Sequence, residues 1–227
     1  MIVIRKLLEF FATLLILCCR FVGYVYTQGW SFFHVSWYDH RFDFLRGPSN
    51  WYWTERGVLG NYHIPFDGEV LDLCCGDGTF SGLFYSTRAK HVDALDIDPE
   101  AIQTAKSVYA KPNVSYQVQD VLRGSYPKKF YDTILLFVAI EHFSVEHGRD
   151  LLKKIGAHLQ NDQSTFIGST VLFEKRGGHN FEHDNEFLSE KQVKDFLTPY
   201  FKEVRLWISS WPKGRQECYF VCRGAKK

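Results

Sequence analysis

Val70 to Phe80 reads VLDLCCGDGTF, and this stretch decides the fold. An apolar run carrying an acid, Asp72, passes through a loop with Gly76 and Gly78 into a segment of helical character. A strand of this kind delivers the chain to the carboxyl edge of a sheet. There, glycines turn the backbone sharply and let it approach a ligand that a Cβ would push away. The helix that follows opens with N–H groups that have no partner inside the helix and face the same ligand. The stretch therefore predicts a strand–loop–helix unit built around a nucleotide.

Downstream the same alternation continues. After a turn at Pro65-Phe66-Asp67-Gly68, strands are predicted over 69–73, 91–96, 114–119, 131–138 and 165–172. Phe80, Leu83, Phe84 and Thr87 mark one face of the first intervening helix. Pro99 stands where a first-turn proline is tolerated, ahead of a stripe of Ala101, Ile102, Ala105, Val108 and Tyr109. Leu151, Leu152, Ile155 and Leu159 belong to a third helix. Ser189-Glu190-Lys191-Gln192 has the form of a capping box for a fourth. Two closing strands, over 204–209 and 218–222, flank Trp211-Pro212-Lys213-Gly214, a connection short enough to require antiparallel pairing. The pattern predicts an α/β fold: a doubly wound, seven-stranded, mostly parallel sheet with a C-terminal antiparallel hairpin and an N-terminal helical extension.

Three acids, Asp72, Asp96 and Asp120, lie in or just after successive strands. With these residues in place, the segment from about Glu69 to Cys222 resembles the class I S-adenosylmethionine-dependent methyltransferases, in their uncharacterised bacterial small-molecule type. VLDLCCGDGTF is similar to that family's first motif and DALDIDPEAI (93–102) to its second. QVQDV (117–121) is similar to the segment after the third strand, and YDTILLFVAIEHF (131–143) to the fourth-strand motif. The resemblance implies S-adenosyl-L-methionine as cofactor. It implies that Asp72 holds the methionine ammonium, that backbone amides pass close to it at Gly76 and Gly78, and that Asp96 accepts both ribose hydroxyls. Asp120 would accept from the adenine amino group, Ile97 and Val121 would sandwich the ring, and Phe137 and Ala139 would lie beneath the reacting centre. One departure stands inside the loop: Cys74 replaces a usual glycine, and cysteine reaches positive φ at a steric cost. Taken alone, each acid could equally be a helix cap or a turn residue.

The first 64 residues are of another character. From Leu7 to Tyr26 the chain is apolar except for Glu9 and Arg20. A membrane span needs about 20 mostly apolar residues, and the uncharged core is Phe10 to Cys19. A cleaved signal is opposed by Glu9 within the run and by the lack of a small-residue cleavage site. A helix in the membrane interface comes first, one packed on its own domain or a partner second, and a true span third. Residues 1–28 are thus expected to form an apolar helix, 29–64 an aromatic-rich helical lid or linker with Ser49 or Asn50 as a cap, and 65–227 the methyltransferase domain.

Composition narrows the rest. The 227 residues are 45% hydrophobic, enough for a sizeable core, and carry a formal net charge of +1 with no basic block, which argues against nucleic acid as the main partner. Six cysteines include two adjacent pairs and no CxxC. They predict neither a disulfide framework nor a zinc cluster, and a reducing, cytosolic-facing compartment fits them; the N-terminal helix adds a peripheral place on the cytoplasmic face of a membrane as an expectation.

Methyl transfer is an in-line displacement, so positioning supplies much of the acceleration, and a base is needed only for a poorly nucleophilic acceptor. Candidate bases are Glu141 and His142 past the fourth strand, and His179, His183, Asp184 and Glu186 after the fifth. Glu141 and His142 could equally frame the pocket. RNA-end methyltransferases hold a metal with a Glu-x-x-Glu-His motif. Val138 stands at the first glutamate position here, so no metal is expected. The expected reaction is methyl transfer to a small-molecule, glycan or lipid-linked acceptor, most readily at oxygen. A nicotinamide-dependent oxidoreductase would need glycine at Ser81 to complete G-x-G-x-x-G. A non-catalytic cofactor-binding or membrane scaffold is the remaining alternative.

Overall fold

The structure, a computed structural model, describes residues 2–28, 40, 52–174, 183–211 and 214–226. Seven strands form one sheet: β1 Gly68–Leu73, β2 Ala89–Asp96, β3 Val114–Val118, β4 Thr133–Phe137, β5 Thr165–Val171, β6 Phe201–Ser209 and β7 Glu217–Ala225. Their order is β3-β2-β1-β4-β5-β7-β6, and only β7 runs antiparallel to its neighbours. The expected doubly wound sheet with its closing hairpin is what the chain forms. The order reverses between β1 and β4, so the carboxyl ends of these two strands flank the crevice where this architecture takes its ligands.

Alternation along the strands sends two sets of side chains to opposite faces. Leu71, Leu73, Leu95, Ile134, Leu136, Phe166 and Phe220 pack under the helices of one face, and Val70, Ala94, Leu135, Ile167 and Val221 under those of the other. Continuously apolar strands are what two covered faces demand. Cys218 and Cys222 are buried in the first set, as a shared strand face requires.

The helices follow the predicted stripes except at Val108, which is exposed at the end of its helix, and along the first intervening helix. α4 Pro99–Val108 is capped by Asp98, which accepts from the N–H groups of Glu100 and Ala101, and it buries Ala101, Ile102 and Ala105. α5 Val145–His158 buries Leu151, Leu152 and Ile155. At α6 Glu190–Leu197 Ser189 Oγ accepts from Gln192 N, while Gln192 Oε1 reaches back to Leu188 N, one residue beyond the usual capping box. The first intervening helix, α3 Thr79–Leu83, passes into a 3-10 turn over Tyr85–Thr87. That break rotates the helix surface. Thr79, Ser81, Gly82 and Tyr85 become the buried residues, while Leu83 and Thr87 face solvent.

Two helices precede the sheet. α1 Ile2–Gln28 exposes large apolar side chains all round, among them Leu8, Phe11, Leu15, Phe21 and Val22. Among the described residues no helix is long and apolar enough to cross a membrane. α2 Tyr52–Tyr62 packs on the sheet. A Cβ on Gly57 would come within 2.5 Å of the Phe84 ring and one on Gly60 within 2.6 Å of Tyr85, so these two glycines set the closeness of the approach. Most of the aromatic stretch before α2, including Trp30, Phe33, Trp37, Phe44 and Trp51, and the predicted cap at Ser49 or Asn50, lie outside the described residues.

Candidate active site

The loop leaving β1 is a run of left-handed turns. Cys74 has φ 57°, Gly76 φ 55° and Gly78 φ 78°. Cysteine therefore does adopt the conformation that favours glycine. It is held there because Cys75 N bonds Leu95 O at 3.0 Å and Gly78 N bonds Cys75 O at 3.1 Å, which fixes the backbone on both sides. Burial pushes the Cys74 and Cys75 thiols well above their usual pKa, so neither is a nucleophile at neutral pH.

Asp72 points down from β1 into the protein. It is 4% exposed, and its Oδ2 accepts from Ser81 Oγ at 2.5 Å. Burial, reinforced by the charge of Asp96, raises its pKa to about 7, against the pull of the Ser81 hydroxyl. Such a carboxylate is poised to ionise when a cation arrives. Asp96, at the tip of β2, accepts from Gly76 N at 2.7 Å through Oδ2 and from Asp98 N at 2.9 Å through Oδ1. Each oxygen keeps one acceptor site, and burial raises its pKa as well.

Asp120 spends Oδ1 on a turn, accepting from the N–H groups of Leu122 and Arg123, while Oδ2 lies 3.7 Å from Arg123 Nε. The turn reading of this acid is thus satisfied by one oxygen, and the other remains for a ligand donor. Ile97 is 68% exposed beside Asp96 and offers an apolar face. Val121 packs into the core with its carbonyl taken by Lys154 Nζ, so it contributes less to that wall than Ile97. A Cβ on Gly76 would meet nothing within 4 Å, and the loop therefore leaves open space beside these acids, the kind of cradle a close-lying ligand needs.

At the end of β4 Phe137 is half-buried between the Phe80 and Tyr219 rings, and Val138 takes φ 48°. A β-branched residue in this region is strained, and Val138 N is fixed on Ser169 O at 2.8 Å. The turn lifts Ile140–His142 over the sheet edge. Glu141 is fully buried, and its Oε2 accepts from Thr170 Oγ1 at 3.0 Å. Burial raises its pKa, against the pull of a backbone hydrogen bond, His142, Thr170 and Arg56. Asn185 N bonds Glu141 O at 3.0 Å, which brings the segment carrying His183 onto this turn. The His142 and His183 rings stand edge to face with centroids 4.6 Å apart. The structure thus gathers Glu141, His142 and His183. Glu186 is buried in the same segment, while His179 lies outside the described residues.

Several residues around the site gave no signal in the sequence. Asp77 is fully buried and accepts from His40 N at 2.8 Å, from Thr79 N at 3.1 Å and, through its other contact, meets His40 Nδ1 at 3.0 Å. Arg56 of α2 forks onto Glu217 of β7 at 2.8 and 3.0 Å, with Ser169 Oγ and Arg215 on the same carboxylate. Arg56 and Glu217 are 161 positions apart, and neither belongs to a motif.

By fold and by the arrangement at the strand ends, the domain resembles the class I S-adenosylmethionine-dependent methyltransferases. Residues 70–162 match the family described as "Methyltransferase domain". An uncharacterized methyltransferase of Mycobacterium bovis is 28% identical over 87 residues, 38% of this chain and 43% of the relative, so the match takes in less than half of that protein. Among solved structures, the N-methyltransferase NodS from Bradyrhizobium japonicum superposes with a TM-score of 0.66 at 14% identity, over 80% of this chain and 99% of NodS. NodS in complex with S-adenosyl-L-homocysteine superposes with a TM-score of 0.56 at 15% identity, over 76% of this chain and 84% of that one.

Proposed function

We propose that the protein transfers a methyl group from S-adenosyl-L-methionine to a hydroxyl of a small-molecule, glycan or lipid-linked acceptor. The observation that carries the reading is the placement, at one sheet edge, of Asp72, Asp96 and Asp120 around an open left-handed loop, with Glu141, His142 and His183 one strand away. The residues fit the cofactor. Asp96 has acceptor capacity for a ribose diol, Asp72 for an ammonium, Asp120 Oδ2 for an exocyclic amine, and Gly76 leaves room beside them. When bound, the cofactor supplies an electrophilic methyl group on a sulfonium.

The chain's own part is to orient and to exclude water. Asp72, near neutrality in its ionisation, gains a full charge only against a cation, so it discriminates for a positively charged donor group. Phe137 and Ala139 floor the space between loop and turn. His142, exposed at its mouth beside the buried Glu141, is the side chain offered to take a hydroxyl proton. Oxygen as the target is supported by this pair, since an uncharged amine needs no base.

α1 supports a second element of the reading. Its apolar side chains surround the helix while Arg5 and Lys6 lie near its start and Arg20 two turns before its end, a distribution we read as suited to the membrane interface and to an acceptor met there. The test of the catalytic reading is label transfer from methyl-labelled S-adenosyl-L-methionine to a panel of hydroxyl, amine and glycan acceptors. Transfer to hydroxyl acceptors that Asp96→Ala abolishes is the expected result. Transfer confined to amines would overturn the oxygen assignment, and no S-adenosylhomocysteine binding by calorimetry would overturn the whole.

A further inference from the structure

The Glu141–His142–His183 cluster has a property that acid–base chemistry does not use. One donor atom from each side chain lies within 4.8 Å of the other two. Donors held about 2.1 Å from a tetrahedral metal stand about 3.4 Å apart, so a shift of roughly 1 Å would close the set on an ion. Exposed His142 has room for such a shift.

Glu141 supplies the independent observation. It is completely buried, Thr170 Oγ1 occupies Oε2, and the buried Oε1 accepts no hydrogen bond. An unpaired carboxylate oxygen inside a protein is costly. A buried carboxylate anchored by a hydroxyl on one oxygen and standing beside two imidazoles is the arrangement of a metal ligand steadied from behind. The arms are also fixed in advance. Asn185 N bonds Glu141 O at 3.0 Å and Phe173 N bonds Phe187 O at 2.9 Å, and the Phe173 ring lies 5.2 Å from that of His183, giving one apolar wall.

We infer that Glu141, His142 and His183 bind a single divalent transition-metal ion of the zinc or manganese class, with a coordination position left open at the acceptor side. Two imidazoles and a carboxylate form a borderline-soft set that suits such ions better than magnesium or calcium. Three protein ligands leave a vacant position, as catalytic rather than structural metal sites do. With the ion bound, His142 is a ligand instead of a free base, and the ion would take over activation of the acceptor hydroxyl, a role that rests on the methyl-transfer reading, whereas metal binding itself does not.

The test is titration of metal-free, full-length protein with Co2+, followed by its visible ligand-field bands, in parallel with calorimetric titration of S-adenosylhomocysteine. Binding of one ion per chain is expected, weakened about 100-fold in His142→Ala and in His183→Ala. His147→Ala, on the neighbouring helix, should bind as the unaltered protein does. Because His142 is exposed, an unchanged thermal melt of metal-free His142→Ala reports an intact fold. No cobalt binding, or binding that neither substitution weakens, would overturn the assignment. Cobalt binding without S-adenosylhomocysteine binding would leave the metal site standing and sink the methyl-transfer reading instead.

Discussion

Replacing Asp72 by asparagine isolates the most consequential ionisation in the site. The folded carboxyl titrates at about 7 and the unfolded one at 3.8. Below the lower value both states are protonated. Between the two values only the unfolded chain ionises, so the stability this group contributes is complete at low pH and is lost as pH rises to about 7, after which it is level. Roughly three units at 1.36 kcal/mol each make the loss about 4 kcal/mol. Asparagine cannot ionise. It still accepts from Ser81, and any cost of its amide is the same at every pH. Measured by urea unfolding of both forms, the stability of Asp72→Asn relative to the unaltered protein should rise by roughly 3 kcal/mol between pH 5 and pH 8, most of it below pH 7. Working with the difference cancels every other titrating group. A gap constant to within about 1 kcal/mol over that range would refute the burial argument. The same linkage predicts that a cationic ligand ionising Asp72 releases a proton on binding near pH 6.

Four further perturbations test the architecture. Arg56→Met strips Glu217 of its main partner, leaving Ser169 and Arg215, and should cost about 3 kcal/mol in urea unfolding, with little added by Glu217→Gln in the same chain. A single-substitution cost under about 1 kcal/mol would contradict it. Gly76→Ala adds a Cβ at φ 55° and into open space, so it should cost only about 1–2 kcal/mol of stability while lowering S-adenosylhomocysteine affinity more than about tenfold. Equal affinity by calorimetry would show that the ligand does not approach there. Gly168→Ala would place its Cβ 1.9 Å from the Leu136 carbonyl oxygen, and should destabilise by about 3 kcal/mol or more in thermal melts. Removing residues 1–28 should abolish co-sedimentation with anionic phospholipid vesicles; retained binding would remove α1 from the membrane argument.

The sheet was legible because its signals are local. Val70–Leu73 is apolar but for Asp72 and Ile134–Phe137 is apolar throughout, as doubly covered strands demand, and Pro99 and Ser189 mark helix starts within a few residues. The acids at 72, 96 and 120 stand in or just after successive strands, and it was the resemblance, not the periodicity, that gave them roles. What stayed hidden depends on pairs distant in the chain. His40 with Asp77 and Arg56 with Glu217 carry no spacing rule, since their partners meet only once the sheet exists. The α3 stripe was misread because its helix lasts one turn, and the 3-10 segment after it shifts which residues face inward. Cys74 and Val138 show a third kind of limit. Their left-handed backbones are imposed by Leu95 O, Ser169 O and the loop around them, not by their own preferences.

The Arg56–Glu217 pair also bears on how the protein is made. At synthesis rates of about 5–20 residues per second, the carboxylate emerges on the order of 10–30 s after the guanidinium it must meet. Throughout that interval α2 carries a cation destined for the interior with nowhere to bury it, and Ser169 waits likewise for its acceptor. Docking of α2 therefore belongs to the last act of folding. A chain halted before β7 would keep its parallel strands and leave α2 undocked, exposing apolar surface to whatever chaperone or protease is nearby.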